Sequence, residues 1–527
     1  MKNYKYVGLL FLSLGFIACD VNNELDEING PEQPQVSANA NGVDFSNYVA
    51  IGASFTAGYT DGALFKAGQQ SSFPNILASK FTLVGGGEFK QPLMADNIGG
   101  LLFGGTKIQE PRLYFNGVGP TRLPVAPTTE TTTSVKGDLN NYGIPGAKSF
   151  HLVAPDYGNV QGVPVGLANP YFARMSSTAS ATVLGDALAQ QPTFFTLSEI
   201  GGNDVLGFAT SGGFNPPTQA NPSGTNAVYQ STNTVSPATY GANDITNVDV
   251  FASVIANMVD ALTANGRKGV IANLPYITDL PYFTTVPFNP IPMDAATAGA
   301  VNSAYAPYNG GIQEAFGVLV QMQVVTQAQA EAEIAKRTIN FAAGQNAVVI
   351  VDESLIDLGS INSAFAGLKQ FRQATAKDLL VLPSSSFIGT LANPSNPASV
   401  NGVAVPLADM WVLTPEEQTM VITATDAYNV TIQNIATAKG LAFVDFKGIL
   451  AQAKTGLKFD KFNLTTNLVT GGLVSLDGIH LTGRGYALMA NKMLAAIDLA
   501  YGSNFAVATN GLAKAKDYPT NYSPTLQ

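Results

Sequence analysis

Gly269-Val270-Ile271-Ala272-Asn273-Leu274 is a short apolar run without alternation, the pattern of a strand buried on both faces. Directly before it, Phe251, Val254, Ile255, Met258, Val259 and Leu262 recur at the i, i+3, i+4, i+7 spacing of a helix with one apolar face, and Asn265-Gly266 supplies a stop. Further upstream, Thr193-Phe194-Phe195-Thr196-Leu197-Ser198-Glu199-Ile200 reads as another strand. Parallel neighbours need a crossover long enough to hold a helix, so strand, helix and strand in this order predict an α/β fold with a parallel sheet.

The alternation continues outward. On the N-terminal side, Tyr48 to Gly52 suits a buried strand and Phe73 to Phe81, with Pro74 near its start, a short helix. On the C-terminal side, helices are expected at about 295–316 and 327–342 and a strand at 347–351. Thr414-Pro415-Glu416-Glu417 combines a cap, an N1 proline and an N3 glutamate, and opens a helix to about Lys439. Leu441-Ala442-Phe443-Val444-Asp445-Phe446 gives the last strand, and Tyr486, Met489, Ala490, Met493 and Ile497 mark a closing helix. Polar, Gly- and Pro-rich segments at about 85–136, 210–243 and 280–412 read as insertions, the last as a lid or substrate wall. The body spans 42–505, with a tail at 506–527.

Of the 527 residues 46% are hydrophobic and only 12% charged, which fits a loop-rich globular chain and not a charged disordered one. A net charge of −10 with scattered basic residues argues against a nucleic-acid partner. The N-terminus has Lys2 and Lys5, an apolar run from Val7 to Ile17, then Ala18-Cys19. That is a secretory signal over 1–19, too short for an ordinary membrane span, and its end resembles a bacterial lipoprotein signal. Cys19 is the sole cysteine, so no internal disulfide is possible and lipidation of Cys19 is expected. Residues 20–41 read as a tether. The expected location is the bacterial cell envelope, lipid-anchored at the outer membrane.

With two histidines in the chain, imidazole chemistry rests on His151 or His480. His151 has apolar neighbours in Phe150, Leu152 and Val153 and reads as a buried, hydrogen-bonded histidine. His480 follows Asp477 by three residues on a loop entering a helix, where the carboxylate can fold back onto one ring nitrogen and leave the other free as a base. Ser54 lies just past a strand end, where open α/β sheets bind ligands. Gly146, in Asn141-Tyr142-Gly143-Ile144-Pro145-Gly146, can offer an unobstructed N–H, and Asn203, after Gly201-Gly202, an amide donor. Each alone is equally a turn residue. No His or Cys cluster indicates a transition metal, and no cofactor is expected.

Taken together and in this order, Gly52-Ala53-Ser54-Phe55, Tyr142-Gly143-Ile144-Pro145-Gly146, Gly201-Gly202-Asn203-Asp204 and Asp477-Gly478-Ile479-His480 resemble the four sequence blocks of the SGNH hydrolases, the GDSL esterase/lipase family. The resemblance covers roughly 45–280 and 413–500. It implies a three-layer α/β/α fold with a mostly parallel, flavodoxin-like sheet. It further implies Ser54 as nucleophile, His480 as base and Asp477 as its orienter, with an oxyanion hole from the Ser54 N–H, the Gly146 N–H and the Asn203 amide. Ala53 and Phe55 depart from the Asp and Leu of the family name, so a carboxylate that would order the loop around the serine is missing. The implied activity is cleavage of carboxylic esters of lipids or acylated glycans. An acyltransferase using the same residues, or a non-catalytic glycan-binding lipoprotein, are the alternatives.

Overall fold

The computed structural model describes residues 35–527 apart from 219, 220, 231, 232 and 234. The signal, Cys19 and the tether as far as residue 34 lie outside the described residues. Five strands form the central sheet: β1 Tyr48–Gly52, β2 Asn141–Gly143, β3 Phe194–Leu197, β4 Lys268–Ala272 and β5 Ala442–Val444. Their order is β5-β4-β3-β1-β2 and every pairing is parallel. β1, β2 and β3 are buried along their whole length, which explains why their sequences do not alternate. The strand order turns back at β1, so the crevice beyond the carboxyl ends of β1 and β3 is a topological switch point.

The helices used below are α1 Ser54–Ala57, α2 Phe73–Phe81, α3 Val183–Ala189, α4 Gly202–Thr210, α5 Val248–Thr263, α6 Ala295–Gln321, α7 Gln327–Arg337, α8 Pro415–Lys439, α9 Phe446–Ala453 and α10 Gly483–Tyr501. Helices flank the sheet, α10 packing on β5 and α2, and α8 on α5 and α4, while α6 and α7 pack on each other within the 280–412 segment. The apolar stripe of α5 is buried in full, with Phe251, Ile255, Met258 and Val259 all at 0% exposure. α8 begins as its capping box dictates: the Glu417 carboxylate accepts the Thr414 N–H at 2.7 Å.

Residues 280–412 add no strand to this sheet. They form short antiparallel pairs, such as Ile291–Met293 with Gly344–Asn346, around an apolar cluster that includes Phe341, Val349, Ile350 and Leu407. The strand expected at 347–351 forms over Val349–Val351 and pairs with Phe371–Gln373. α7 ends at Arg337, short of 342, because Asn309 and Asn302 take the N–H groups of Ile339 and Phe341 with their side-chain oxygens. The last residues pack onto the body. Buried Arg112 donates to the carbonyls of Tyr522, Ser523 and Leu526, and Residues Ala38–Gln527 form one compact unit.

Candidate active site

β1 runs straight into α1 through Gly52, where a Cβ would stand 2.1 Å from Thr56 Oγ1 and 2.7 Å from the Ser198 carbonyl. Only glycine allows this close approach. The turn puts Ser54 at the first position of α1, at the carboxyl end of β1, with 8% of its surface exposed.

The loop before α10 closes on itself: the Ser475 N–H donates to the His480 carbonyl at 2.7 Å, and the Gly478 N–H to the Ser475 carbonyl at 3.0 Å. Asp477 and His480 therefore face each other. His480 Nδ1 lies 2.8 Å from Asp477 Oδ2, and His480 Nε2 lies 2.9 Å from Ser54 Oγ. The structure thus joins three of the residues singled out in the sequence into one hydrogen-bonded line. The imidazole packs against Phe55 and Tyr59, with ring centroids 5.4 and 4.6 Å away. Tyr59 is itself held through its carbonyl by the Tyr486 hydroxyl.

Asp477 also accepts from the N–H groups of Ile479, His480 and Gly62 and from the Ser475 hydroxyl. Burial alone would raise its pKa, but the His480 charge and these donors hold it well below the usual carboxylate range. It is fixed as an anion beside the His480 ring.

Asn203 is the second residue of α4, and its amide donates to the Ala147 carbonyl at 2.9 Å. One of its two N–H bonds fixes the side chain against the Gly146 turn and leaves the other to donate elsewhere. Gly146 has φ +81°, is exposed, and has nothing within 4 Å of an added Cβ. Among the described residues, neither the Ser54 nor the Gly146 N–H has a protein acceptor. Next to Asn203, Asp204 accepts from both the N–H and the hydroxyl of Ser149, at 2.8 and 2.6 Å, and ties the 146–149 segment to α4.

The loop around the serine is ordered by a carboxylate after all. Glu199 Oε1 accepts the N–H groups of Ala53 at 2.7 Å and Thr56 at 2.8 Å, on either side of Ser54. To do so the chain turns sharply after β3: the strand ends at Leu197 and not at Ile200, and Glu199 takes a φ of +47°. A non-glycine residue in this region is costly, and such cost is commonly found at sites whose geometry the rest of the structure dictates. Burial pushes the Glu199 carboxyl up to about 7, against the hydrogen bonds from Thr56, Ser198 and Ala53. Sequence reading missed this residue because it lay inside an apparent strand. Asp61, also missed, stands behind the triad with φ +52°, accepting the Leu476 N–H at 3.0 Å while its own N–H donates to Ser475 Oγ.

His151 is half-buried, accepts the Lys148 N–H at its Nδ1 and stacks on Tyr157 at 4.4 Å. Burial and the Lys148 charge press its pKa down to about 4, so it stays neutral at pH 7. It has no part in the line of three. Elsewhere, the carboxylates of Glu353, Asp409 and Glu417 bring ligand-type atoms within 4.8 Å of one another, a grouping not visible in the sequence.

No model of a known family, no curated protein and no solved structure matches this chain. What the chain offers is the arrangement itself: the Ser54 hydroxyl on one ring nitrogen of His480, the Asp477 carboxylate on the other, and the Ser54 and Gly146 N–H groups without protein acceptors among the described residues.

Proposed function

We propose that this chain is a serine ester hydrolase of the SGNH type, cleaving carboxylic esters through an acyl-serine intermediate. The observation that carries the reading is the Ser54–His480–Asp477 line, with contacts of 2.9 and 2.8 Å. A hydroxyl is a weak nucleophile until a positioned base takes its proton. His480 Nε2 accepts the proton of Ser54 as Oγ attacks the ester carbon, and Asp477 stabilises the imidazolium that forms. The tetrahedral oxyanion finds the Ser54 N–H, the Gly146 N–H and the Asn203 amide. On collapse the ester C–O bond breaks and His480 gives the proton to the departing alcohol. A water then loses its proton to His480, attacks the acyl-serine and restores the hydroxyl as the acid leaves.

Glu199 supports the reading from a second direction, since it provides the loop-ordering carboxylate whose absence at position 53 counted against it. With residues 1–19 read as a lipoprotein signal, the enzyme works from the bacterial cell envelope, anchored through Cys19. Among the described residues no helix is long and apolar enough to cross a membrane.

The test is labelling by a fluorophosphonate, which traps serines activated by a base. The wild-type protein should label at Ser54, Ser54→Ala should not label, and His480→Ala should label far more slowly. A folded wild-type protein that stays unlabelled would point instead to a non-catalytic binding lipoprotein.

A further inference from the structure

A cavity of about 110 Å³ opens beside Ser54. Ser54 and Asn203 both line it. One wall is α10, whose residues Gly485, Leu488, Met489 and Lys492 face the space at i, i+3, i+4, i+7 spacing. The facing wall is Phe446, Ile449 and Leu450 of α9, again at i, i+3, i+4. From Gly485 to Lys492 the lining follows about 10 Å of helix axis. Ile277 and Leu280, at the start of the 280–412 segment, complete the enclosure.

Most of the lining is apolar; its polar members are Ser54, Ser198, Glu199, Asn203, Asn273 and Lys492, and Asn273 is engaged at both its amide nitrogen and its oxygen. Asn273 donates to Asp445 at 2.7 Å and accepts the Lys447 N–H at 3.0 Å. A sugar or glycerol lodged along the apolar walls would find few partners for its hydroxyls, which makes its burial unfavourable. An aliphatic chain needs no partners and gains by leaving water. The polar half of an ester therefore belongs outside this cavity.

We infer that this cavity is the acyl pocket, and that the substrates are esters of unbranched fatty acids much longer than acetate. The inference rests on the ester-hydrolase reading of Ser54. It assigns to Ile449, Leu488 and Met489 the choice of acyl group, and it sets acetylated glycans aside as the main substrates.

The experiment measures kcat/KM for p-nitrophenyl acetate, butyrate, hexanoate and octanoate, below their micellar concentrations, with fluorophosphonate labelling of Ser54 in parallel. Each buried methylene is expected to raise kcat/KM about fourfold, so octanoate should exceed acetate by a factor on the order of 10³. Ile449→Trp, which fills the slot, should lower the octanoate-to-acetate ratio at least tenfold; Met489→Phe gives the same readout if the tryptophan variant misfolds. A flat or falling series in a protein whose Ser54 labels overturns the acyl pocket and leaves the hydrolase reading standing. A protein that neither labels nor cleaves any of the four esters overturns both.

Discussion

The carboxylate of Glu199 and the backbone N–H of Ala53 meet at 2.7 Å across the crevice between β3 and β1, and the same oxygen accepts from Thr56 at 2.8 Å. The residue before Ser54 is thus anchored from the turn that follows β3. Glu199→Ala leaves two amides without an acceptor, which costs roughly 1 to 3 kcal/mol each and frees the serine turn. Glu199→Gln keeps the accepting oxygen and reproduces the carboxyl in its protonated form. We expect the alanine variant to lose both melting temperature and kcat, and the glutamine variant to keep most of each. A glutamine variant as impaired as alanine would show that the negative charge, and not the accepting oxygen, is what matters.

Asn203→Ala removes a donor we propose for the oxyanion and also releases the Ala147 carbonyl. If the second amide hydrogen serves the transition state, kcat should fall by about 10²- to 10³-fold with KM nearly unchanged, as for loss of one such donor. Steady-state kinetics on a soluble ester with a melting curve decide this. A kcat within about threefold of wild type would reduce Asn203 to a strut for the Gly146 turn.

Asp477→Asn preserves shape but not charge or tautomer. The amide would present the imidazole with the wrong hydrogen, so kcat should drop by about 10⁴-fold, as in other serine triads. Fluorophosphonate labelling should slow in proportion. Labelling at the wild-type rate would mean that Asp477 only shapes the loop.

Burial raises Asp409 and Glu417 well above the usual carboxylate range, reinforced at Asp409 by the charges of Glu353 and Glu417 and at Glu417 by that of Glu353. The native state therefore holds more protons than the unfolded chain at pH values above the ordinary carboxylate range. Stability is then full below about pH 4 and declines as pH rises through neutrality. Melting temperatures measured from pH 5.5 to 8.5 should fall, and fall less in Asp409→Asn. Parallel profiles for the two proteins would refute the assignment.

Cys19→Ala should release the protein from the membrane fraction, because Cys19 is the sole cysteine and follows Ala18 at the end of the apolar run. Retention of the variant on membranes after a high-salt wash would exclude lipidation as the anchor.

Four of the five central strands were legible because their short apolar runs are largely buried, and the long helices because each carries an apolar stripe or an explicit cap, as at Thr414; β2, three residues long, read as part of a turn. Ser54, Asp477 and His480 were legible because local rules placed each after a strand or before a helix. What escaped was non-local. Glu199 looked like part of a strand, and its role depends on a backbone turn that only the amides of Ala53 and Thr56 make sensible. Asp61 and the Glu353, Asp409 and Glu417 group come together through tertiary folding between positions far apart in the chain. Residues 280–412 resisted assignment because their strands are two or three residues long and pair only with each other.

Arg112 holds its guanidinium on the carbonyls of Tyr522, Ser523 and Leu526, more than 400 positions along the chain. The order of synthesis gives this clasp a meaning. A growing polypeptide exposes Ser54 early, but it meets its base only after residue 480 has been made, and Arg112 finds its acceptors later still. Every product that stops short of His480 therefore carries Ser54 without its partner, and one that stops short of Tyr522 leaves Arg112 with the carbonyls of Asn97 and Leu113 alone. The hydrolytic activity we propose thus cannot begin on a nascent chain that still lacks His480.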